Sequence, residues 1–191
     1  PGGIIGHDSG FRDLMNDVAL TWLLGMQIVI VAGCRHQLNE RLGTTEENHE
    51  LRVTDSNVLR IVKEEAGYVR FEVERQLARS LRIQSGLDKT AYDGNVVSGN
   101  FYSAQPLGVH DGVDYMFTGF VRKIEVEKIR QVLAQRDICL LPTLGVSPSG
   151  EVFNVNSESL AAVTAGALGA SKVVYFTLSE IFLRHKIHDN K

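Results

Sequence analysis

The sequence predicts an α/β fold, a three-layer αβα sandwich around a mainly parallel sheet. Two observations carry that expectation. Short, continuously apolar, β-branched runs such as "MQIVIVAG" at 26–33, "ICLLP" at 138–142 and "KVVYFT" at 172–177 have the character of strands covered on both faces. Between them lie segments whose apolar residues recur at three and four, the spacing of one helix face. Such alternating units use crossover connections, which place successive strands parallel. No internal repeat, low-complexity tract or long linker interrupts the 191 residues, so one domain is expected.

In chain order, "FRDLMNDVALTWLLG" sets Phe11, Leu14, Met15, Val18, Ala19, Trp22 and Leu23 on one helical face, with Gly25 as the stop. The run at 26–33 is a buried strand ending in Gly33. "CRHQLNERL" then reads as a short helix that starts at the strand's C-terminal end, where open α/β sheets place their ligands. Residues 43–50, "GTTEENHE", are polar and predict a loop. A long helical pattern follows in "LRVTDSNVLRIVKEEAGYVRFEVERQLARSL", with Thr54, Asp55 and Ser56 as capping oxygens and Gly67 as the place where it would break. From "SGLDKTAYDG" to "GVHDGVDY" Gly and Asp dominate, and hairpins are expected at one edge of the sheet, "NVVSGNFYSAQP" being the clearest strand-like piece. The last third repeats the rhythm. "FVRKI" is a strand, "EVEKIRQVLAQRD" a helix with Ile129, Val132 and Leu133 on one face, and "ICLLP" a buried strand. "GEVFNVN" leads into the helix "SESLAAVTAGALGA" and the strand "KVVYFT".

Composition removes several classes of function. With 43% hydrophobic and 23% charged residues the chain can bury a sizeable core. A formal net charge of -3 gives no bulk attraction for nucleic acid or anionic lipid, so neither is expected as a partner. No apolar run approaches the roughly twenty residues that span a bilayer. Two distant cysteines, Cys34 and Cys139, suggest ordinary thiols in a reducing compartment. The start "PGGIIGHDSG" lacks the features of a signal peptide. Histidines 7, 36, 49, 110, 185 and 188 show no metal-ligand spacing, so no metal site is expected. No Gly-x-Ser-x-Gly elbow is present, and covalent hydrolase chemistry has no support.

The stretch "SPSGEVFNVNSESLAA" at 147–162 carries the first candidate residues. Asn156 sits at a helix N-cap position and Glu158 in the first turn, where its charge complements the helix dipole. That reading makes the stretch a well-capped helix start. Asn154 is two residues earlier on an extended segment and so points to the same side as Asn156, which allows both amides to converge on a small polar ligand. Arg52, between Leu51 and Val53 at a loop end, suits a carboxylate through its fixed fork, or else makes an ordinary ion pair with a nearby acid. Gly33 at a strand end permits close backbone approach, though a single glycine followed by Cys34 and Arg35 is weak as a phosphate cradle.

Together "LRVTD", "NVVSGNF", "AQPLGVHDGVDYMFTGFVRKIEVEKI" and "GVSPSGEVFNVNSESLAA" resemble the N-acetylglutamate synthase family, in its amino-acid-kinase-like domain, over nearly the whole chain. The resemblance implies the amino-acid kinase, or carbamate kinase-like, fold over 1–191. It also implies a separate acetyltransferase domain, not present here, that moves acetyl from acetyl-CoA to glutamate as the opening step of arginine biosynthesis. The kinase-like domain is then a regulatory one. It binds arginine as feedback ligand, needs no cofactor of its own, helps build a homo-oligomer, and has no catalytic residue of its own. The compartment would be bacterial cytoplasm, or the plastid in a photosynthetic eukaryote.

A sister family, acetylglutamate kinase, holds its substrate with a glycine-rich turn, an arginine in a motif like "LRVT", and two asparagines in one like "NVNAD". Gly33, Arg52, Asn154 and Asn156 match these, and Glu158 stands where that family has aspartate. The glycine turn has become Gly33-Cys34-Arg35, and the first-strand lysine has no counterpart in "PGGIIGHDSG". Phosphoryl transfer depends on such electrostatic positioning. A retired kinase pocket is therefore expected, with an active acetylglutamate kinase and a noncatalytic scaffold as the alternatives. The same comparison implies that the chain begins at the tail of the first strand and stops before the nucleotide-side lobe is complete.

Overall fold

The computed structural model describes residues 2–44, 51–84 and 95–176. Helix α1 (Asp8–Leu23) leads to strand β1 (Val29–Ala32), then to helices α2 (Arg35–Leu42) and α3 (Ser56–Gln84). Strands β2 (Val96–Ser98), β3 (Tyr102–Pro106), β4 (Val109–His110), β5 (Val113–Asp114) and β6 (Thr118–Ile124) follow. Helix α4 (Val126–Ala134), strands β7 (Ile138–Pro142), β8 (Leu144–Val146) and β9 (Val152–Val155), and helix α5 (Ser157–Leu168) complete the described chain.

The β-branched runs pair in parallel in the order β1-β7-β2, the central β7 buried and its neighbours largely half-buried, with Ile30 opposite Leu140 and Val97 opposite Cys139. Alternation along β7 divides the core in two. Ile138 and Leu140 join Phe11, Met15, Val62, Val69, Val73, Leu77 and Leu81 of α1 and α3. Cys139 and Leu141 face the other way, toward Phe101, Tyr102, Ile129, Phe153, Val155 and Leu160. Both faces of the parallel sheet are thus covered, as its apolar sequence requires.

Helix α3 runs unbroken through Gly67 for 29 residues. Its buried stripe at three- and four-residue spacing outweighs the roughly 1 kcal/mol that an interior glycine costs. Its cap is Asp55, whose Oδ1 accepts from the backbone N–H of Asn57 and Val58, both at 2.8 Å. Thr54 is not a cap; it is fully buried and has another task.

The other strands do not extend the parallel sheet. β3, β6, β9 and β8 close on themselves in a small barrel of mixed pairing, and β4 and β5 form a separate hairpin. The expected parallel sheet is present as β1-β7-β2 and the expected hairpin as β4–β5, but the hairpin does not lie at that sheet's edge. Within "NVVSGNFYSAQP", β2 pairs parallel with β7 whereas β3 pairs antiparallel with β6, so the two are not a hairpin. The chain changes sheets between them, anchored by buried Phe101. Residues 2–6 form a 3₁₀ turn with Ile5 buried against the α1–α3 core, not the tail of a strand. "KVVYFT" joins no ladder over its described residues 172–176, and Val173 to Phe176 are 43–59% exposed. Apolar β-branched composition favours a strand, but the ladder needs a partner, which none of the described strands supplies. The Gly- and Asp-rich piece 85–94 lies outside the described residues.

The barrel demands glycine at two contacts. A Cβ at Gly145 would lie 2.5 Å from the Tyr102 ring and 2.6 Å from Ala104 Cβ, and one at Gly119 2.7 Å from the Gln105 carbonyl oxygen. Gly67 faces open space. Gly145→Ala is expected to lower the unfolding free energy by about 1–3 kcal/mol, whereas Gly67→Ala raises it by about 0.5–1 kcal/mol. Urea denaturation of the two variants reads both signs.

Candidate functional site

One cavity lies at the C-terminal end of β1, where α2 and α5 both begin. Gly33, Cys34, Arg35, Leu38, Leu51, Arg52, Thr118, Thr143 and residues 154–158 line it. All five residues singled out in the sequence, Gly33, Arg52, Asn154, Asn156 and Glu158, meet there although they lie far apart in the chain. Its volume is about 60 Å³, enough for a few waters or the polar head of a small ligand.

Gly33 has a local reason to be glycine. A Cβ there would stand 2.8 Å from Ser157 Oγ and 3.0 Å from Ser157 Cβ. The close approach it permits is that of α5. Asn156 caps that helix, with extended backbone and Oδ1 accepting from Ser159 N–H at 2.8 Å. Its amide NH₂ is left for the cavity. Glu158 is exposed in the first turn and accepts from the Ser157 hydroxyl at 3.0 Å.

Arg52 is held from both sides. Its carbonyl accepts from Thr118 Oγ1 at 2.5 Å, and its guanidinium donates to Asn39 Oδ1 and to Thr44 Oγ1, the latter at 3.2 Å. Both side-chain partners are neutral, and among the described residues no acid pairs with it. Burial first, and the neighbouring Arg35 guanidinium second, push its pKa below the usual arginine value. The cation persists, and among the described residues no charge compensates it.

Asn154 is oriented by a hydroxyl chain. A hydroxyl carries one hydrogen. Thr118 shares its own between the Arg52 carbonyl and Thr54 Oγ1, to which it donates at 2.9 Å. Thr54 Oγ1 also accepts from Asn154 Nδ2 at 3.2 Å, which leaves Asn154 Oδ1 as an acceptor in the cavity. The two asparagines offer opposite polarity, an acceptor at 154 and a donor at 156. That pair matches the N–H and C=O of an amide.

Neither cysteine supplies a nucleophile. Cys34 Sγ lies 4.0 Å from Thr143 Oγ1 and burial pushes its thiol pKa up, while burial takes Cys139 to about 12. Both stay protonated near neutral pH. Sequence reasoning did not find Thr54 or Thr118 as positioning residues, because a threonine in a strand or before a helix gives no distinguishing signal. Arg35 was visible only as a bulky neighbour of Gly33.

The amino acid kinase family pattern matches residues 1–183. An amino-acid acetyltransferase of Photobacterium profundum is 40% identical over 182 residues, 92% of this chain and 40% of the relative. One from Ralstonia nicotianae is 41% identical over 171 residues, 86% of this chain and 37% of the relative. The N-acetylglutamate synthase of Neisseria gonorrhoeae, solved with coenzyme A and L-arginine, superposes with a TM-score of 0.79 and 35% identity, over 88% of this chain and 40% of that one. Its complex with coenzyme A and N-acetyl-glutamate gives 0.75 and 34%, over 88% and 38%. The chain spans about 40% of the length of the curated relatives it matches.

Thr54→Val removes the hydroxyl that joins Thr118 to Asn154 and leaves both without that partner. A loss of about 1–3 kcal/mol in unfolding free energy is expected, larger than for Thr21→Val, whose hydroxyl bonds an exposed helix carbonyl. Urea titration of both variants measures the difference.

Proposed function

The chain belongs to the amino acid kinase family, and from that premise we propose that it is the amino-acid-sensing domain of an N-acetylglutamate synthase. The whole protein would transfer acetyl from acetyl-CoA to glutamate through a further domain. In support, the relatives named as amino-acid acetyltransferases are longer than the chain, and the Neisseria gonorrhoeae enzyme was solved with coenzyme A. Two cores on opposite faces of the parallel sheet favour the three-layer αβα arrangement of a regulatory scaffold. The domain would assemble with copies of itself.

The single observation that carries the ligand reading is the polarity of the cavity. A cationic fork at Arg52 meets an amide-matching pair, Asn154 Oδ1 and Asn156 NH₂, beside a helix N-terminus. Arginine–carboxylate pairs are bidentate and strong, and the two asparagines complement a secondary amide. An N-acylated acidic amino acid satisfies all of these groups at once. Phosphoryl transfer is disfavoured, because side chains of Cys34 and Arg35 stand where a glycine turn would offer bare N–H groups to phosphate. Arginine, a cation, is repelled by Arg35 and Arg52. A feedback site for arginine would therefore lie in another part of the domain.

Calorimetric titration of the chain with N-acetylglutamate tests the reading. Binding is expected, with Arg52→Gln weakening it at least about tenfold through loss of the charged fork. Adding ATP is expected to give no ADP at an enzyme-like rate. ADP formation would make the chain an acetylglutamate kinase, and failure to bind any amino acid or acylamino acid would make it a scaffold.

A further inference from the structure

Arg35 is the first residue of α2 and stands at the C-terminal end of β1. It lines the cavity and is half-buried. Among the described residues its guanidinium has no hydrogen bond or ion pair. Arg52 on the same cavity has only the neutral partners Asn39 and Thr44. Among the described residues the sole carboxylate on the lining is Glu158, exposed and engaged by Ser157. Among the described residues two guanidiniums thus share a small cavity with one exposed acid.

Such an arrangement is costly when empty of an anion. Like charges on partly buried groups repel more strongly than at an open surface, because water and salt screen them less. Burial first, and the Arg35 charge second, lower the proton affinity of Arg52. One carboxylate can relieve one guanidinium through a two-oxygen fork, but it leaves the other unpaired. A ligand with two carboxylates relieves both.

Resting on the acylamino-acid reading above, we infer that Arg35 is a specificity-determining residue that takes the second, side-chain carboxylate of a dicarboxylate ligand while Arg52 takes the first. A carboxylate paired in this way has its oxygens occupied. It is held in place and is not presented as a nucleophile. A ligand whose side chain ends in a neutral amide leaves Arg35 without a counter-charge, and a cationic ligand adds a third positive charge.

The test is calorimetric titration of the chain with N-acetylglutamate, with its neutral-ended isostere N-acetylglutamine, and with arginine. Wild type, Arg35→Gln, Arg35→Lys and Arg52→Gln are compared, with thermal melts to show that each variant is folded. Wild type should prefer the dicarboxylate by about tenfold or more and bind arginine least. Arg35→Gln should reduce that preference to within about twofold by weakening the dicarboxylate alone, and Arg35→Lys should keep part of it by retaining charge without the fork. Arg52→Gln should weaken both acylamino acids together. If both acylamino acids bind wild type and Arg35→Gln leaves the preference unchanged, the Arg35 assignment is overturned and the acylamino-acid reading stands. If neither binds wild type, the acylamino-acid reading itself falls, and the assignment with it.

Discussion

The cavity depends on the contact between the end of β1 and the start of α5. Gly33 lets Ser157 approach to a distance that any side chain would block. Because α2 begins at Cys34 and Arg35, directly after that glycine, two helix N-termini open beside the same small volume. Their helix dipoles bias it toward negative charge. The asparagine that caps α5 presents its remaining amide hydrogens there, so one side chain serves both fold and cavity.

The opposite wall is fixed by hydrogen bonding. Arg52 comes from an exposed segment between Leu51 and Val53, which packing alone would hold poorly. The chain from Arg52 carbonyl through Thr118 and Thr54 to Asn154 ties that segment to β6 and β9. Thr54 is fully buried, so breaking the chain leaves polar groups that water cannot reach. The Arg52 backbone is thereby tied to Asn154, and Asn39 and Thr44 hold its guanidinium, which spares a ligand part of the entropy of ordering them.

Much of this was legible before the structure. Helices α1, α3, α4 and α5 and the strands β1 and β7 follow from periodicity, because one buried face imposes its spacing on the sequence. Pairing was less visible. A strand's apolar pattern records how much of it is covered but not which strand supplies its ladder, so "NVVSGNFYSAQP" read as one strand-like piece at a sheet edge and 172–176 as a strand. In the cavity, Asn156 and Glu158 could be read from capping chemistry and Gly33 and Arg52 from resemblance to a kinase relative. The hydroxyl chain could not, since Thr54 and Thr118 lie 64 residues apart and neither departs from ordinary strand or pre-helix composition.

A double-mutant cycle at Gly33 and Ser157 probes the central claim most directly, with N-acetylglutamate affinity as the measurement. Gly33→Ala should push α5 away from β1 and weaken binding, and Ser157→Gly in the same chain should restore most of it by clearing the space. A coupling of about 1–3 kcal/mol between the two positions is the predicted result. Independent, additive effects, or full affinity in Gly33→Ala alone, would contradict the account.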